Sequence, residues 1–321
     1  CMKKFDVVAL GELLVDFTEN GISEQGNPLL EANPGGAPCN VLSMLQNLGK
    51  KTAFIGKVGA DAFGQMLIQA VRARGINTDN LLTDDVVHTT LAFVHTDREG
   101  DRSFSFYRNP GADMMLRWDE VHQEMLGDTR IFHFGTLSMT ERQIGNVTKK
   151  AVERAKSEGA LISFDPNLRP PLWKSLEDAK DKMWYGIGQC DILKISDDEI
   201  YFLTGTQDIN RGIEIILSRS NPRLVCATMG KNGSKAFCNG KSVFCEPFLR
   251  NDTIETTGAG DTFMACVLNT VLEKGLEALS EKELLEMLRF ANAASSIITT
   301  RKGALKVMPE KNEVLETIEK Y

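Results

Sequence analysis

The stretch TTGAGDTFMA, Thr256 to Ala265, sets two glycines around an alanine, follows them at once with an aspartate, and then turns apolar. Phe263, Cys266, Val267 and Thr270 recur at the spacing of one helical face, which predicts a helix starting near Ala259. The first N–H groups of such a helix have no intrahelical acceptor and carry partial positive charge. Gly258 and Gly260 let a ligand approach the backbone with no Cβ in the way. The chemistry this suits is capture of an anion, phosphate foremost. Asp261 falls in the first turn, where the dipole favours an ionised carboxylate that can take a proton from a hydroxyl attacking the phosphate. The same residues also spell an ordinary helix start, with Thr257 as N-cap and Asp261 as a first-turn acid.

A second glycine pair precedes a second helix start, in NPGGAPCN (33–40). Pro38 suits the first helical position, Gly35 and Gly36 permit close backbone approach, and Asn40 offers both a donor and an acceptor. Asp16 lies in a strand-like run on the face opposite Val15 and Phe17, where its carboxylate could chelate two vicinal hydroxyls. A tight turn and an exposed strand acid are the plainer alternatives. The chain has no GxxxxGK[ST] and no GxGxxG after a strand, so any nucleotide phosphate is bound without a P-loop. The first βα turn, ALGELLVDF, lacks the dinucleotide-binding fingerprint, which argues against a dehydrogenase.

The elements that must position these residues alternate. Strands are predicted at 5–11, 52–59, 130–135, 160–167, 191–196 and 224–230. Helices are predicted at 37–50, 61–75, 141–158, 172–187, 199–204 and 210–219, with further helical runs at 284–300 and near 310–320. Such alternation implies a parallel sheet covered by helices on both faces. Residues 13–21, 27–36 and 89–113 break the pattern. The last reads as two strands joined by a turn at Asp97–Asp101, either a lid inserted into the α/β domain or an edge hairpin of the main sheet.

Composition narrows the classes. The 321 residues carry a net charge of −7, so there is no basic nucleic-acid footprint. No apolar run is long enough to span a bilayer. Seven scattered cysteines without a CxxC pair read as reduced thiols of a cytoplasmic protein, with no zinc site. His88, His95, His122 and His133 have no metal spacing and read as structural or surface residues.

NPGGAPCNV and ETTGAGDTFMA resemble the two signature regions of the ribokinase-like (PfkB) carbohydrate kinases. FDPNLRPPLW (164–173), DILKISDDEIYFLTG (191–205), ATMGKNGS (227–234) and TRKGA (300–304) fall in the family's order, so the resemblance spans essentially the whole chain. GGAPCNV, FSFYRNPGAD (104–113) and DPNLRPPLW look most like the bacterial fructokinase branch. The resemblance implies a three-layer α/β/α sandwich of residues 1–12, 33–88 and 110–321, with a β lid of residues 13–32 and 89–109. It implies ATP-dependent phosphorylation of a sugar hydroxyl, fructose first, with 2-keto-3-deoxygluconate, ribose or a nucleoside as alternatives. A non-catalytic sugar- or nucleotide-binding relative is the reading from another class, against which the intact Asp261 and glycine pair argue.

Carried over by the same resemblance, Asp261 is the base, and Gly258, Ala259 and Gly260 form the anion hole. Asp16, Gly35, Gly36 and Asn40 hold the sugar, with Phe106, Arg108 and Arg169 as further candidates. Lys194, Thr228, Gly230, Gly233 and Asn292 contact the nucleotide, and Glu199 organises Mg²⁺ through water. Two departures stand out. Ser196 occupies a position where the family commonly has asparagine, and with Glu199 it spells a capping box. Glu255 replaces an aspartate in a loop associated with a K⁺-like cation. The expected partners are the sugar and ATP, with a homodimer through the lid.

Overall fold

The computed structural model describes residues 3–96 and 102–321. Its strands are β1 (Phe5–Leu10), β2 (Leu14–Ile22), β3 (Pro28–Gly35), β4 (Thr52–Gly59), β5 (Asn77–Asp84), β6 (Leu91–Thr96) and β7 (Arg102–Tyr107). They continue with β8 (Thr129–Gly135), β9 (Leu161–Asp165), β10 (Ile192–Ser196), β11 (Leu224–Thr228), β12 (Ser234–Cys238) and β13 (Lys241–Cys245). The helices are α1 (Ala37–Asn47), α2 (Ala62–Ala73), α3 (Gln123–Gly127), α4 (Arg142–Ser157) and α5 (Leu176–Gln189). After them come α6 (Asp197–Thr204), α7 (Ile209–Arg219), α8 (Ala259–Lys274), α9 (Glu281–Ile298) and α10 (Lys311–Lys320).

Among the described residues the strands make two sheets. The nine-stranded sheet runs β13-β12-β11-β10-β9-β8-β1-β4-β5. It is parallel from β5 to β11 and antiparallel at the β11–β12–β13 edge. Strand alternation feeds two cores. Val7 and Ala9 of β1 pack with α1, α8 and α9, while Val8 and Leu10 pack with α4 and α5. The result is the α/β/α sandwich expected from the alternation. Chain order reverses between β1 and β8, and in such sheets the crevice at the carboxyl ends of the diverging strands is where ligands bind.

The four-stranded sheet runs β3-β2-β6-β7, so residues 91–96 and 102–107 join a separate lid sheet and do not extend the main one. The turn expected at Asp97–Asp101 lies outside the described residues. Leu14, Asp16 and Thr18 of β2 share one face through period-2 alternation. On the other face Phe17 stacks on Phe93 at 4.9 Å and meets Phe63 of α2 edge-on at 5.5 Å, anchoring the small sheet to the large domain.

Four elements exceed the sequence expectation: α3, β5, β12 and β13. β5 pairs with β4, and β12–β13 forms an edge hairpin. The hairpin carries a legible signal, because Asn239 and Gly240 both adopt positive φ, 51° and 74°, as a tight two-residue turn requires. No helix among the described residues is long and apolar enough to cross a membrane. Cys39, Cys190, Cys226, Cys238, Cys245 and Cys266 are free and buried.

Candidate active site

α8 begins at Ala259, as its apolar spacing predicts, but Gly258 is the N-cap and no side chain caps it. Gly258 takes φ +77, and a Cβ there would stand 2.7 Å from the Cβ of Ala304. The N–H groups of Gly260 and Asp261 find no acceptor among the described residues. Asp261 is buried at 7% exposure in the first turn. Two amides hold its carboxylate: Asn40 Nδ2 donates to Oδ2 at 2.8 Å, and Asn167 Nδ2 donates to Oδ1 at 3.1 Å. A carboxylate only accepts here, so both amides are oriented, and Asn40 Oδ1 is left buried with no partner among the described residues.

The first cleft, of about 480 Å³, opens between the lid sheet and the carboxyl ends of the strands. It gathers Asp16, Gly36, Asn40, Phe106, Arg169 and Asp261, together with Glu12 and Asn167. Gly35 supports Asp16 from behind, since a Cβ there would fall 2.1 Å from Asp16 Oδ2. Removal from water pushes the Asp16 carboxyl up to about 7; the nearby Arg169 charge opposes this, while Glu255 and Asp261 reinforce it. Arg169 is exposed at the cleft edge.

A second cleft, of about 410 Å³, is lined by Thr228, Gly230, Gly233 and Asn292, with Phe263 and Ser295. Asn292 is locked to the edge hairpin, accepting from Ser234 Oγ at 2.9 Å and donating to the Glu246 carbonyl at 3.0 Å. Thr256 and Gly260 line both clefts. The cavities therefore meet at the first turn of α8.

Three candidates sit differently from the rest. Arg108 is buried in an ion pair, with Nε and Nη2 donating to Asp113 Oδ2 at 2.9 and 2.7 Å, Nη1 to Thr140 and Nη2 also to the Leu137 carbonyl. It does not line the first cleft. Lys194 lines neither cleft; its ammonium is buried against Gly260 and paired with Asp165 at 3.1 Å. Glu199 closes the capping box with Ser196 through Oε2 and accepts the Leu168 N–H through Oε1 at 2.9 Å. Among the described residues no group of three or more His, Cys, Asp or Glu side chains could hold a metal ion directly.

Two residues of the site were not singled out from the sequence. Asn167, at φ +50, lies inside the FDPNLRPPLW segment, and that strained backbone aims its amide at Asp261. Glu12 is 4% exposed, and Oε1 accepts the Ala37 N–H at 3.0 Å, capping α1 from the loop after β1. Its only sequence signal is an acid among apolar neighbours, and burial lifts its carboxyl to about 7.

Residues 4–311 match the family described as pfkB family carbohydrate kinase. A probable fructokinase-2 of Arabidopsis thaliana is 40% identical over 312 residues, covering 96% of this chain and 94% of its own. A solved fructokinase with bound ATP from Xylella fastidiosa superposes with a TM-score of 0.89 at 30% identity, covering 98% of each chain. A fructokinase from Vibrio cholerae O395, in a form bound to fructose, ADP and calcium ion, gives 0.87 at 28% identity, covering 98% of this chain and 99% of that one. Of these three the plant fructokinase is the nearest in identity, in contrast to the bacterial branch expected from the motifs.

Proposed function

The chain belongs to the pfkB family of carbohydrate kinases, and from that premise we propose that it transfers the γ-phosphoryl group of ATP to the primary hydroxyl of fructose, giving fructose 6-phosphate. The observation that carries this reading is the meeting of two clefts at Thr256 and Gly260, with Asp261 held by two amides beside the junction. Sugar binds in the first cleft. Asp16, seated on Gly35, accepts from two hydroxyls, and the unpartnered Asn40 Oδ1 accepts from a third. ATP binds in the second cleft along Thr228, Gly230, Gly233 and Asn292.

Asp261 takes the hydroxyl proton as the sugar oxygen attacks. The free N–H groups of Gly260 and Asp261 face the charge that develops on the transferred group. Closure of the lid sheet keeps water from competing with the sugar. Glu199 would hold Mg²⁺ through water, since each of its oxygens keeps a lone pair beyond its backbone bond, and the ion would supply neutralisation of phosphate charge. The exposed Ile22, Leu29 and Leu30 of the lid support a homodimer formed through that sheet, which sedimentation analysis would test.

The test is ADP release from ATP·Mg²⁺ with fructose, ribose, 2-keto-3-deoxygluconate, fructose 6-phosphate and adenosine, for the wild type and Asp261→Asn. Turnover with fructose, falling about 10²-fold or more in the variant, is expected. A variant keeping more than about a tenth of the rate would take Asp261 out of the base role. Arg169 at the cleft edge favours one second reading, an acidic sugar, because a carboxylate seeks a guanidinium. Turnover with 2-keto-3-deoxygluconate in place of fructose would select it.

A further inference from the structure

Asp165 ends β9, and Lys194 lies midway along the neighbouring β10 of the main sheet. In β9, Ile162 and Phe164 face the α4–α5 core, so Asp165 faces α8; in β10, Leu193 and Ile195 face that core, so Lys194 also faces α8. Both are buried, Asp165 at 1% and Lys194 at 5% exposure. The ammonium lies 3.1 Å from Asp165 Oδ2 and 3.3 Å from Oδ1. A Cβ on Gly260 would stand 2.9 Å from that ammonium, so the first turn of α8 rests on it.

This is a poor place for a cation in the ligand-free fold. A helix N-terminus is already positive, and an ammonium pressed against it is repelled. A buried ion pair is also costly to desolvate and is seldom kept for stability alone. The arrangement becomes favourable once negative charge gathers at the same turn. Asp261 and Glu199 lie close enough to act on the ammonium. Burial works against its proton, and Asp165, Glu199 and Asp261 together outweigh burial, so Lys194 stays charged.

We propose that Asp165 is a positioning residue that fixes the Lys194 ammonium beneath Gly260, where the buried cation stabilises both the Asp261 carboxylate and the phosphoryl group in transfer. This inference rests on the phosphoryl-transfer reading of the α8 turn. Lys194 acts through the turn and not as a wall of the nucleotide cleft, so its effect falls on the chemical step more than on ATP binding. Asp165 acts only through Lys194.

A double-mutant cycle tests this. Lys194→Met is expected to lower kcat by roughly 10²-fold, with KM for ATP and sugar changing less than about threefold. Asp165→Asn is expected to lower kcat by about tenfold or more, and the double variant to match Lys194→Met within about threefold. The double variant removes both charges, so it is expected to recover any melting temperature lost by Asp165→Asn. If Asp165→Asn alone does not fold, Lys194→Met against the double variant still decides. Equal kcat supports the inference. A further tenfold loss in the double variant, or a loss carried mainly by KM for ATP, overturns it. Asp261→Asn, assayed alongside, separates the two readings: if it stays active, the transfer site itself is misplaced and the inference falls with it. If it is dead while the cycle is additive, only the role of Asp165 is rejected.

Discussion

Asn40 Nδ2 donates to Asp261 Oδ2 at 2.8 Å, across a chain separation of 221 residues. One end of this amide is thus engaged and the other is open. Its nitrogen steadies the proposed base, and its oxygen is buried with no acceptor role filled. A buried carbonyl oxygen without a donor is costly, and a sugar hydroxyl would remove that cost. Asn40→Ala deletes both functions. It is expected to lower kcat/KM for the sugar by about 10–100-fold, an effect of roughly 1.4–2.8 kcal/mol on the barrier. Steady-state kinetics at saturating ATP checks this, and an unchanged kcat/KM would remove Asn40 from the site.

The two glycine pairs should fail in different ways. Gly35→Ala drives a Cβ to 2.1 Å from Asp16 Oδ2, so the sugar-binding carboxylate must move. KM for the sugar is expected to rise about tenfold or more, with KM for ATP held. Gly260→Ala sets a Cβ 2.9 Å from Lys194 Nζ at the junction of the clefts. Here kcat is expected to fall about tenfold or more. Measuring both KM values and kcat for the two variants distinguishes the patterns. Swapped patterns would reverse the assignment of the clefts.

Asp16 links sugar binding to pH. Its carboxyl is raised to about 7 in the folded protein, chiefly by removal from water, so it is protonated at pH 5 while an unfolded aspartate is ionised. The folded state then binds more protons, and this group's contribution to stability declines as pH rises from about 4 to 7. Asp16→Asn is therefore expected to raise the melting temperature at pH 7.5 by a few degrees and to raise it less at pH 5, where only part of the penalty has developed. Because the cleft is open to solvent, the gain is held to about 1–2 kcal/mol. Thermal melts at the two pH values settle it. In the wild type, KM for the sugar should rise as pH falls through about 7, where Asp16 takes up its proton.

Arg169 modifies that limb. Its guanidinium is the group that pulls the Asp16 carboxyl down. Arg169→Met removes the pull, so the pH at which sugar KM begins to climb should move upward. A KM–pH profile that does not move would mean that the exposed arginine is screened from Asp16 by water.

Arg108 is expected to matter for folding and not for recognition. Its guanidinium is engaged by Asp113, Thr140 and the Leu137 carbonyl, deep beside the root of the lid. Arg108→Met leaves Asp113 as an uncompensated buried charge and should cost about 3–5 kcal/mol. Arg108→Met with Asp113→Leu should recover much of that loss. Melting curves for the single and double variants test the pairing, and sugar KM in the double variant should stay within about threefold of the wild type.

The sequence by itself determined what depends on near neighbours. Strand and helix alternation, the start of α8, the capping box of Ser196 and Glu199, and the turn-permitting glycines are all set by residues a few positions apart. Local backbone geometry and hydrophobic periodicity act over that range, so these features were legible. The tertiary structure decided what depends on residues distant in the chain. It brought Asn40 and Asn167 to Asp261, separations of 221 and 94 residues. It turned Glu12 into the cap of α1, tied Arg108 to Asp113 and tucked Lys194 beneath Gly260. A charged side chain carries the same letter in a cleft, in an ion pair or under a helix. Only packing sets how much water it keeps and which partner it meets, and those two quantities fix its role.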